Sequence, residues 1–408
     1  MRLLKVQSLD QSVETILQTM ESLNLKRIEN IPIDKALGKI LAEDIIAREN
    51  IPAFRRSTMD GYAVQSGSTN GATQTIPAIL ELVEEIEMGK QPRKKINASE
   101  TSEIFTGGML PEGADAVVPV ENTEKIGGNF VSIYSPVTYL EHVVDIGEDT
   151  NQGEVYFRKG TIITPAVVAG TVSLGYLKVD AYAPLTARVL STGDEILPPD
   201  SIIPPGMTRD VNSYSISSLC QDLGIKVIER KLLPDVKKII RVELEKTDVD
   251  LIIISGSSSK GTKDFVPAII EQEFNPGMLF HGIAIKPGKP TGFGTDGKKM
   301  ILGLPGHPVS AVAVFLAVFA PAFRHYYGIQ DSKKIPCSIS QSMPATPGRT
   351  LIQLVSLEET VTGWVCHPIF GASGNLSTLA KADGYFVIDQ HEEGVVKEQN
   401  VNVTLFSL

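Results

Sequence analysis

Cysteine is scarce in this sequence of 408 residues, which contains only Cys220, Cys337 and Cys366. Three scattered cysteines are too few for a disulfide framework, and their spacing does not fit a zinc site. Each of them is therefore expected to be a small buried apolar side chain.

Long apolar runs and an N-terminal leader are lacking as well. No apolar run approaches the ~20 residues that a membrane-crossing helix needs, and residues 1–8 contain no signal-peptide core. Hydrophobic residues nevertheless make up 42% of the chain, which is enough to build packed cores. We therefore expect a soluble, cytoplasmic protein of about two to four domains, with no membrane partner.

Positive charge is also in deficit. The chain has 38 Lys and Arg against 48 Asp and Glu, which gives a formal net charge of −10 at pH 7. Nucleic-acid binding needs a basic surface, so the composition argues against a nucleic-acid partner. An anionic ligand would need a local cluster of positive charge, because the overall field repels it.

Two glycine-containing loops supply such a cluster. The sequence Ile-Lys-Pro-Gly-Lys-Pro at 285–290 places Lys286 and Lys289 three residues apart on a segment that its prolines stiffen. The sequence Leu-Pro-Gly-His-Pro-Val-Ser follows at 304–310, where Gly306 allows a ligand to approach the backbone closely.

The second loop is also expected to begin a helix. Free N–H groups and the helix dipole favour negative charge at such a point. The two loops together predict a site for a phosphate or another oxyanion, with further ligand contacts at Pro305, Gly306, His307 and Ser310. The alternative is two tight turns with solvated lysines, because short motifs match often by chance.

The order of apolar and polar residues predicts a multidomain α/β protein. Ser8 and Gln11 form a capping-box pattern ahead of apolar residues at helical spacing, so a first helix is expected. Residues 50–140 read as β-rich, and strands alternate with helices over 186–328, which predicts a doubly wound, mainly parallel sheet. The residues from 329 onward predict a small β-barrel or sandwich. Within the α/β segment we expect strands at 187–191, 226–230, 251–255 and 300–304, and helices at 213–223, 235–247 and 310–326.

Polar loops follow these strands at the edge where open α/β sheets bind ligands. Residues 191–195 follow the first strand, 255–264 the third and 305–308 the fourth. Their clustering predicts a ligand crevice that includes Ser255 and Gly256.

Carboxylates in and near these loops are the second chemical feature. Glu195, Asp210 and Asp264 could hold Mg²⁺, which takes one or two protein oxygens together with substrate phosphate. Lysines and carboxylates together would bind a pyrophosphate through charge neutralisation and metal bridging. Asp210 and Asn212 lie just before a predicted helix, however, and either can equally be a helix cap.

The motifs also resemble those of a known family, the molybdopterin molybdenumtransferases, which include MoeA and the gephyrin E domain. Six stretches match its signatures in the family's own order: 57–64, 104–108, 191–195, 285–290, 304–310 and 377–384. The first contains Met-Asp-Gly-Tyr-Ala, and the fifth departs from Leu-Pro-Gly-Asn-Pro-Val-Ser only at His307. The resemblance covers essentially the whole chain.

The resemblance implies an L-shaped subunit that forms a homodimer. It implies an enzyme that inserts molybdate into adenylylated molybdopterin, with release of AMP in a step that depends on a divalent cation, taken to be Mg²⁺. It also suggests a molybdopterin adenylyltransferase as the partner that supplies the substrate. The expected division has four domains: an α/β molybdopterin-binding domain at 7–26 and 178–328, a linking and dimerisation domain at 27–49 and 141–177, a β-rich domain at 50–140, and a C-terminal β-barrel at 329–408.

Particular residues acquire roles from the resemblance. It implies catalytic roles for Asp60, Asp210, Asp264 and Glu195, the last three also as metal ligands. Lys286 and Lys289 match the substrate-anion lysines, and Thr106 lies in a turn that implies a substrate contact. Asp60 has an alternative reading as a turn residue before Gly61.

Several residues depart from the family pattern. Ser257 replaces a glycine, Lys260 and Lys263 add charge nearby, His307 replaces an asparagine, and Arg209 stands where an aromatic residue is common. These departures indicate a divergent paralogue. They leave open an enzyme that uses molybdate, one that uses tungstate, and a non-catalytic molybdopterin-binding or scaffolding protein. His307 itself can be a ligand contact or a helix-start residue packed on its loop.

Overall fold

The computed structural model describes residues 6–256, 265–330 and 332–406. These residues form two compact units. The first comprises Met1–Ala42, Lys159–Thr164 and Val179–Leu408, and the second comprises Glu43–Arg158 and Pro165–Lys178.

Most of the helices belong to the first unit. Its helices are Leu9–Leu23, Asn212–Asp222, Lys237–Glu245, Phe265–Glu273, Pro308–Val314, Ala320–Tyr327 and Leu376–Ala380, and the second unit has Pro165–Ser173. The first helix has the predicted capping box: the Gln11 N–H donates to the Ser8 hydroxyl, and the Ser8 N–H donates to the Gln11 side chain. The sequence missed the helix Phe265–Glu273.

A six-stranded sheet forms the centre of the first unit. Its strands, in spatial order, are Lys226–Leu233, Thr186–Thr192, Leu251–Ser255, Met300–Leu304, Gly292–Thr295 and Gly277–His281. The first four are parallel to one another, which confirms the predicted doubly wound sheet. The last two are antiparallel additions that the sequence did not predict.

The central strand shows why its sequence is apolar throughout. Leu251 and Ile253 pack into one hydrophobic cluster, whereas Ile252 and Ile254 pack into another. Because successive side chains point to opposite faces, a strand covered on both sides needs an uninterrupted apolar run.

One helical segment corrects the expectation about apolar runs. Pro308–Tyr327 spans 20 residues with a mean hydropathy of 1.5, so it reaches the length and composition of a membrane helix. Its most apolar window is, however, 78% buried inside the protein, which identifies a core helix. The segment contains a π-helical turn at Phe315–Phe319, which ends two residues before Pro321, a residue with no N–H to continue the regular pattern.

The C-terminal part of the first unit is a closed barrel of five strands, as expected. Around the barrel they are Thr350–Thr360, Gly363–Pro368, Lys334–Ile339, Asn400–Leu405 and Gly384–Ile388, and the last pairs back onto the first. A short strand, Ile285–Lys286, pairs in parallel with the start of Thr350–Thr360. The loop at 285–290, which we call the lysine loop, is therefore attached to the barrel by backbone hydrogen bonds.

The three cysteines are buried, as predicted. Burial raises the pKa of the Cys220 thiol to about 12 and that of the Cys366 thiol to about 11, so both stay protonated. Cys337 and Cys366 belong to the apolar interior of the barrel. These thiols therefore act as small apolar side chains.

The second unit is β-rich, as its sequence predicts. Its main sheet has six strands, in the order Ala116–Pro119, Gly61–Val64, Glu100–Ile104, Ala78–Ile86, Phe130–Ile133 and Thr123–Ile126.

The remaining strands are short and form two-stranded pairs. These pairs are Ile28–Pro32 with Lys178–Tyr182, Ile45–Ile46 with Val155–Phe157, Arg56–Ser57 with Val143–Val144, Ile196–Leu197 with Thr208–Arg209, and Met343–Pro344 with Gly394–Val395.

Candidate functional site

A cavity of about 440 Å³ opens where the parallel strands of the first unit end, and we call it the strand-end pocket. It brings together six residues that the sequence singled out: Glu195, Asp210, Gly256, Pro305, Gly306 and His307. Three of the loops that follow the strands contribute to it, at the edge where α/β sheets bind ligands.

Asp210 is the buried carboxylate of this pocket and is 6% exposed. Its Oδ1 accepts hydrogen bonds from the Ser191 hydroxyl at 2.8 Å and the Ser213 N–H at 3.1 Å, and its Oδ2 accepts from the Ser213 hydroxyl at 2.5 Å. The bond from the Ser213 N–H stabilises the first turn of the helix Asn212–Asp222, although Val211, and not Asp210 or Asn212, occupies the cap position. The carboxylate thus has a fixed orientation at the pocket wall.

Ser255 lies behind the pocket. It is buried, and its Oγ lies 3.4 Å from the Ser191 Oγ. Ser191 in turn donates to Asp210, so the third strand contacts the carboxylate only through an intermediate hydroxyl.

Gly256 has a backbone that no other residue adopts easily. Its φ is +114°, and a Cβ there would lie 1.9 Å from the Thr192 carbonyl oxygen. Gly306 packs beside it, where a Cβ would lie 3.4 Å from the Gly256 Cα. These two glycines bring two loops into close backbone contact at the pocket.

Alanine at Gly256 is therefore expected to destabilise the protein by roughly 2–4 kcal/mol, through backbone strain and the clash with Thr192. Urea unfolding of Gly256→Ala would measure the loss. The control is Gly67→Ala, where an added Cβ meets nothing within 4 Å. Equal unfolding midpoints for the two variants would contradict the expectation.

Asn212 is a pocket residue that the sequence noted only as a helix-cap candidate. Its Nδ2 donates to the Gly306 carbonyl at 2.8 Å, and its Oδ1 takes no part in that bond. That oxygen is buried and accepts no hydrogen bond from any described residue. An unpaired buried acceptor is costly, so a ligand that supplies a donor or a cation would be favoured there.

The structure describes two of the three predicted metal ligands. Glu195 is exposed and lines the strand-end pocket with Asp210, whereas Asp264 lies outside the described residues. Within the described ranges, no three His, Cys, Asp or Glu side chains come together to hold a metal. The Asp210 carboxylate and the unpaired Asn212 Oδ1 are hard oxygen ligands, and Mg²⁺ needs only one or two of these. The residues present therefore fit Mg²⁺.

A second cavity, of about 610 Å³, adjoins the first, and we call it the lysine pocket. Lys286, Lys289 and Ser310, which the sequence predicts as ligand contacts, line this cavity, and Pro290 lines both cavities. Gly288 has a φ of +111°, and a Cβ there would lie 2.4 Å from a Val314 methyl group. This glycine thus allows the loop to pack against the long helix.

Arg349 adds a third cation to the lysine pocket, and the sequence did not single it out. Among the described lining residues there is no Asp or Glu to neutralise these charges. Neither Lys286 nor Lys289 has a salt bridge to a described carboxylate. The cavity is therefore electropositive in a protein whose net charge is −10.

His307 stands between the two cavities. Its Nδ1 lies 2.9 Å from the Oγ of Ser373, which lines the lysine pocket. The Val309 N–H donates to the Ser373 carbonyl at 3.1 Å. The helix-start interpretation and the pocket interpretation of His307 are therefore both compatible with its position.

The second unit brings together two residues that are 46 positions apart in sequence. Both the N–H and the hydroxyl of Thr106 donate to the Asp60 Oδ1, each at 2.7 Å. These bonds hold the pKa of the exposed Asp60 carboxyl below its usual value, with the backbone bond as the larger cause. The residue after Asp60 has to be glycine, because a Cβ at Gly61 would lie 2.0 Å from the Val118 carbonyl oxygen.

Valine at Thr106 is expected to raise the pKa of Asp60, because it removes the hydroxyl donor and keeps the N–H. A ¹³C NMR titration of the Asp60 carboxyl measures this. Thr360→Val, whose hydroxyl donates to the Gly363 carbonyl in the barrel, is the control and should leave the titration unchanged. An unshifted Asp60 pKa in Thr106→Val would refute the contribution assigned to the Thr106 hydroxyl.

Comparison with known proteins identifies the chain. Three family models match along its length: the MoeA N-terminal region (domain I and II) at residues 7–175, a probable molybdopterin binding domain at 188–325, and the MoeA C-terminal region (domain IV) at 338–406. These matches follow the order of the predicted motifs.

Individual relatives agree. The chain is 33% identical to a putative molybdopterin biosynthesis protein of Methanocaldococcus jannaschii, over 93% of this chain and 92% of that protein. It is 31% identical to molybdopterin molybdenumtransferase 2 of Mycobacterium tuberculosis, over 88% of this chain and 90% of that protein. The crystal structure of the MoeA protein of Pyrococcus horikoshii superposes with a TM-score of 0.84 at 28% identity, covering 98% of this chain and 100% of that one. The chain therefore belongs to the MoeA family of molybdopterin molybdenumtransferases, which act in the biosynthesis of the molybdenum cofactor.

Proposed function

We propose that this enzyme inserts molybdate into adenylylated molybdopterin and releases AMP in a Mg²⁺-dependent step. The observation that carries the proposal is the adjacency of two cavities with complementary chemistry. The strand-end pocket has Asp210 and Glu195, and the lysine pocket has three cations without a described carboxylate. Pro290 lines both, so one ligand with anionic and metal-binding groups can extend across them.

The cations of the lysine pocket would bind an oxyanion directly. Lys286 and Lys289 supply ammonium groups, and Arg349 supplies a guanidinium. A hydrogen bond from a charged group contributes roughly 1.5–3 kcal/mol, so a few of them account for tight binding. The hydroxyls of Ser310 and Ser373 line the same cavity and add neutral donors.

The carboxylates of the strand-end pocket would hold the cation. We assign this role to Asp210 and Glu195, with Asp264 as the third oxygen ligand and Asn212 Oδ1 beside them. Bound Mg²⁺ would supply Lewis-acid polarisation of the phosphoanhydride. Ser191 and Ser213 fix the Asp210 carboxylate beforehand, so little reorganisation is needed when the substrate arrives.

The test is AMP release from adenylylated molybdopterin. Release is expected to need Mg²⁺, to increase with molybdate, and to stop when the metal is chelated. Binding of the pterin without AMP release would favour the non-catalytic or scaffolding alternative. Faster turnover with tungstate than with molybdate would instead identify a tungstate-using homologue.

We also propose a cytoplasmic homodimer, with an adenylyltransferase supplying the substrate and with the four-domain division given above. In this arrangement Asp60 and Thr106 of one subunit would complete the site of the other. Mixing inactive Asp60→Ala with inactive Asp210→Ala protein should then restore activity. At random exchange about half of the dimers are mixed, which yields roughly a quarter of wild-type sites. A monomer in sedimentation, or exchanged dimers without turnover, would refute the shared site.

A further inference from the structure

His307 and Ser373 form a hydrogen-bonded link between the two cavities. The Nδ1 and Oγ atoms lie 2.9 Å apart, His307 lines the strand-end pocket, and Ser373 lines the lysine pocket. The bond from the Val309 N–H to the Ser373 carbonyl holds the pair from the backbone. The His307 side chain makes no capping bond to the helix Pro308–Val314, so its Nδ1 is available to Ser373.

The direction of this hydrogen bond decides what Ser373 can offer a ligand. A serine hydroxyl has a single proton to donate. If Nδ1 of His307 lacks a proton, Ser373 donates to it and presents only lone pairs to the lysine pocket. If Nδ1 carries a proton, the imidazole donates to Oγ, and the hydroxyl proton is left for the ligand.

A tetrahedral oxyanion distinguishes between these two states. Phosphate and molybdate both present acceptor oxygens, so Ser373 can donate to either of them while keeping its bond to His307 only when Nδ1 is protonated. The three cations attract any anion, whereas an oriented hydroxyl strengthens the binding only of an anion that has an acceptor oxygen at the matching position.

We propose that His307 is a positioning residue that turns the Ser373 hydroxyl toward a tetrahedral oxyanion in the lysine pocket. The proposal rests on the oxyanion site of the proposed function and adds the group that orients one of its donors. His307 itself need not touch the anion, because it acts through Ser373.

A double-mutant cycle tests this. Calorimetric titration with molybdate, and in parallel with inorganic phosphate, would compare the wild type with His307→Phe, Ser373→Ala and the double variant. Ser373→Ala should weaken binding by roughly 3- to 10-fold, the worth of one hydrogen bond. His307→Phe should weaken it by no more than that, because the hydroxyl keeps its proton but loses the group that turns it toward the anion. The double variant should bind no more weakly than Ser373→Ala alone, because His307 acts only through that hydroxyl. Partial rescue by His307→Gln, whose amide can donate, is also expected.

The outcomes separate this inference from the proposed function. Independent, multiplying effects in the double variant, or wild-type affinity in His307→Phe, would overturn the role of His307 alone. Both proposals would be overturned if the wild-type protein bound neither anion. They would also be overturned if the variant with Lys286→Ala and Lys289→Ala bound the anions as tightly as the wild type does. Tighter binding of molybdate identifies it as the natural occupant, and tighter binding of phosphate points to the nucleotide moiety instead; both support the positioning role if the cycle holds.

The protonation of His307 gives a second readout. Long-range ¹H–¹⁵N NMR distinguishes a protonated from an unprotonated Nδ1, and saturating molybdate should leave Nδ1 of His307 protonated. His367, which pairs with Glu358 on the barrel, is the control and should not respond. An unprotonated Nδ1 in the bound state would refute the proposal.

Discussion

Alanine at both Lys286 and Lys289 is expected to weaken the binding of adenylylated molybdopterin by roughly 100- to 1,000-fold. Each lysine would contribute a charged hydrogen bond to an anionic group, in a pocket with no described acidic residue. The salt dependence of binding should flatten at the same time, because fewer counterions are displaced. Calorimetry at several salt concentrations would measure both effects.

The matched control is the double variant Lys237→Ala and Lys238→Ala. Those two lysines are exposed on the helix Lys237–Glu245, outside both cavities, and their removal changes the net charge by the same amount. If the control weakens binding as much as the pocket variant does, long-range charge rather than contact would explain the effect.

Asparagine at Asp210 is expected to abolish Mg²⁺-dependent AMP release, with a loss of at least ~100-fold. The amide removes a negative charge from the proposed cation site. It also places an NH₂ group where one carboxylate oxygen now accepts a hydrogen bond, so we expect a stability loss of roughly 1–2 kcal/mol. AMP release and urea unfolding would measure the two losses separately.

The control for Asp210 separates chemistry from stability. Ser213→Ala removes a hydroxyl that donates to Asp210 but keeps the carboxylate. It should lower stability by about 1 kcal/mol and retain far more activity than Asp210→Asn. Equal activity losses in the two variants would indicate that Asp210 acts mainly by holding its loop.

The fold was predictable where periodicity is strong. The run Leu251–Ser255 is apolar on both faces because hydrophobic clusters cover both, and a pattern of that kind can hardly be anything but a buried strand. The antiparallel strand Gly292–Thr295 was missed because its glycines resemble a turn. The helix Phe265–Glu273 was missed because Pro267 near its start interrupts the helical pattern, although proline is tolerated in a first turn.

The site was predictable where a residue carries its own chemistry. Lys286, Asp210 and the loop glycines stand out in the sequence, and the structure places them around two adjoining cavities. Arg349 and Ser373 did not stand out, because their relevance comes from contacts with segments more than 60 residues away in the chain. A single sequence contains no sign of such contacts, since they depend on how the barrel meets the lysine loop.

The pairing of Ile285–Lys286 with the barrel strand has a consequence for how the chain can change over time. Ile285 lies opposite Thr350, and Lys286 lies opposite Leu351. Because side chains alternate along a strand, one residue inserted on either side would turn Lys286 to the opposite face. Insertions and deletions in these two distant segments must therefore be inherited together, or as compensating pairs. A barrel exchanged between relatives would remain functional only if it kept this alignment.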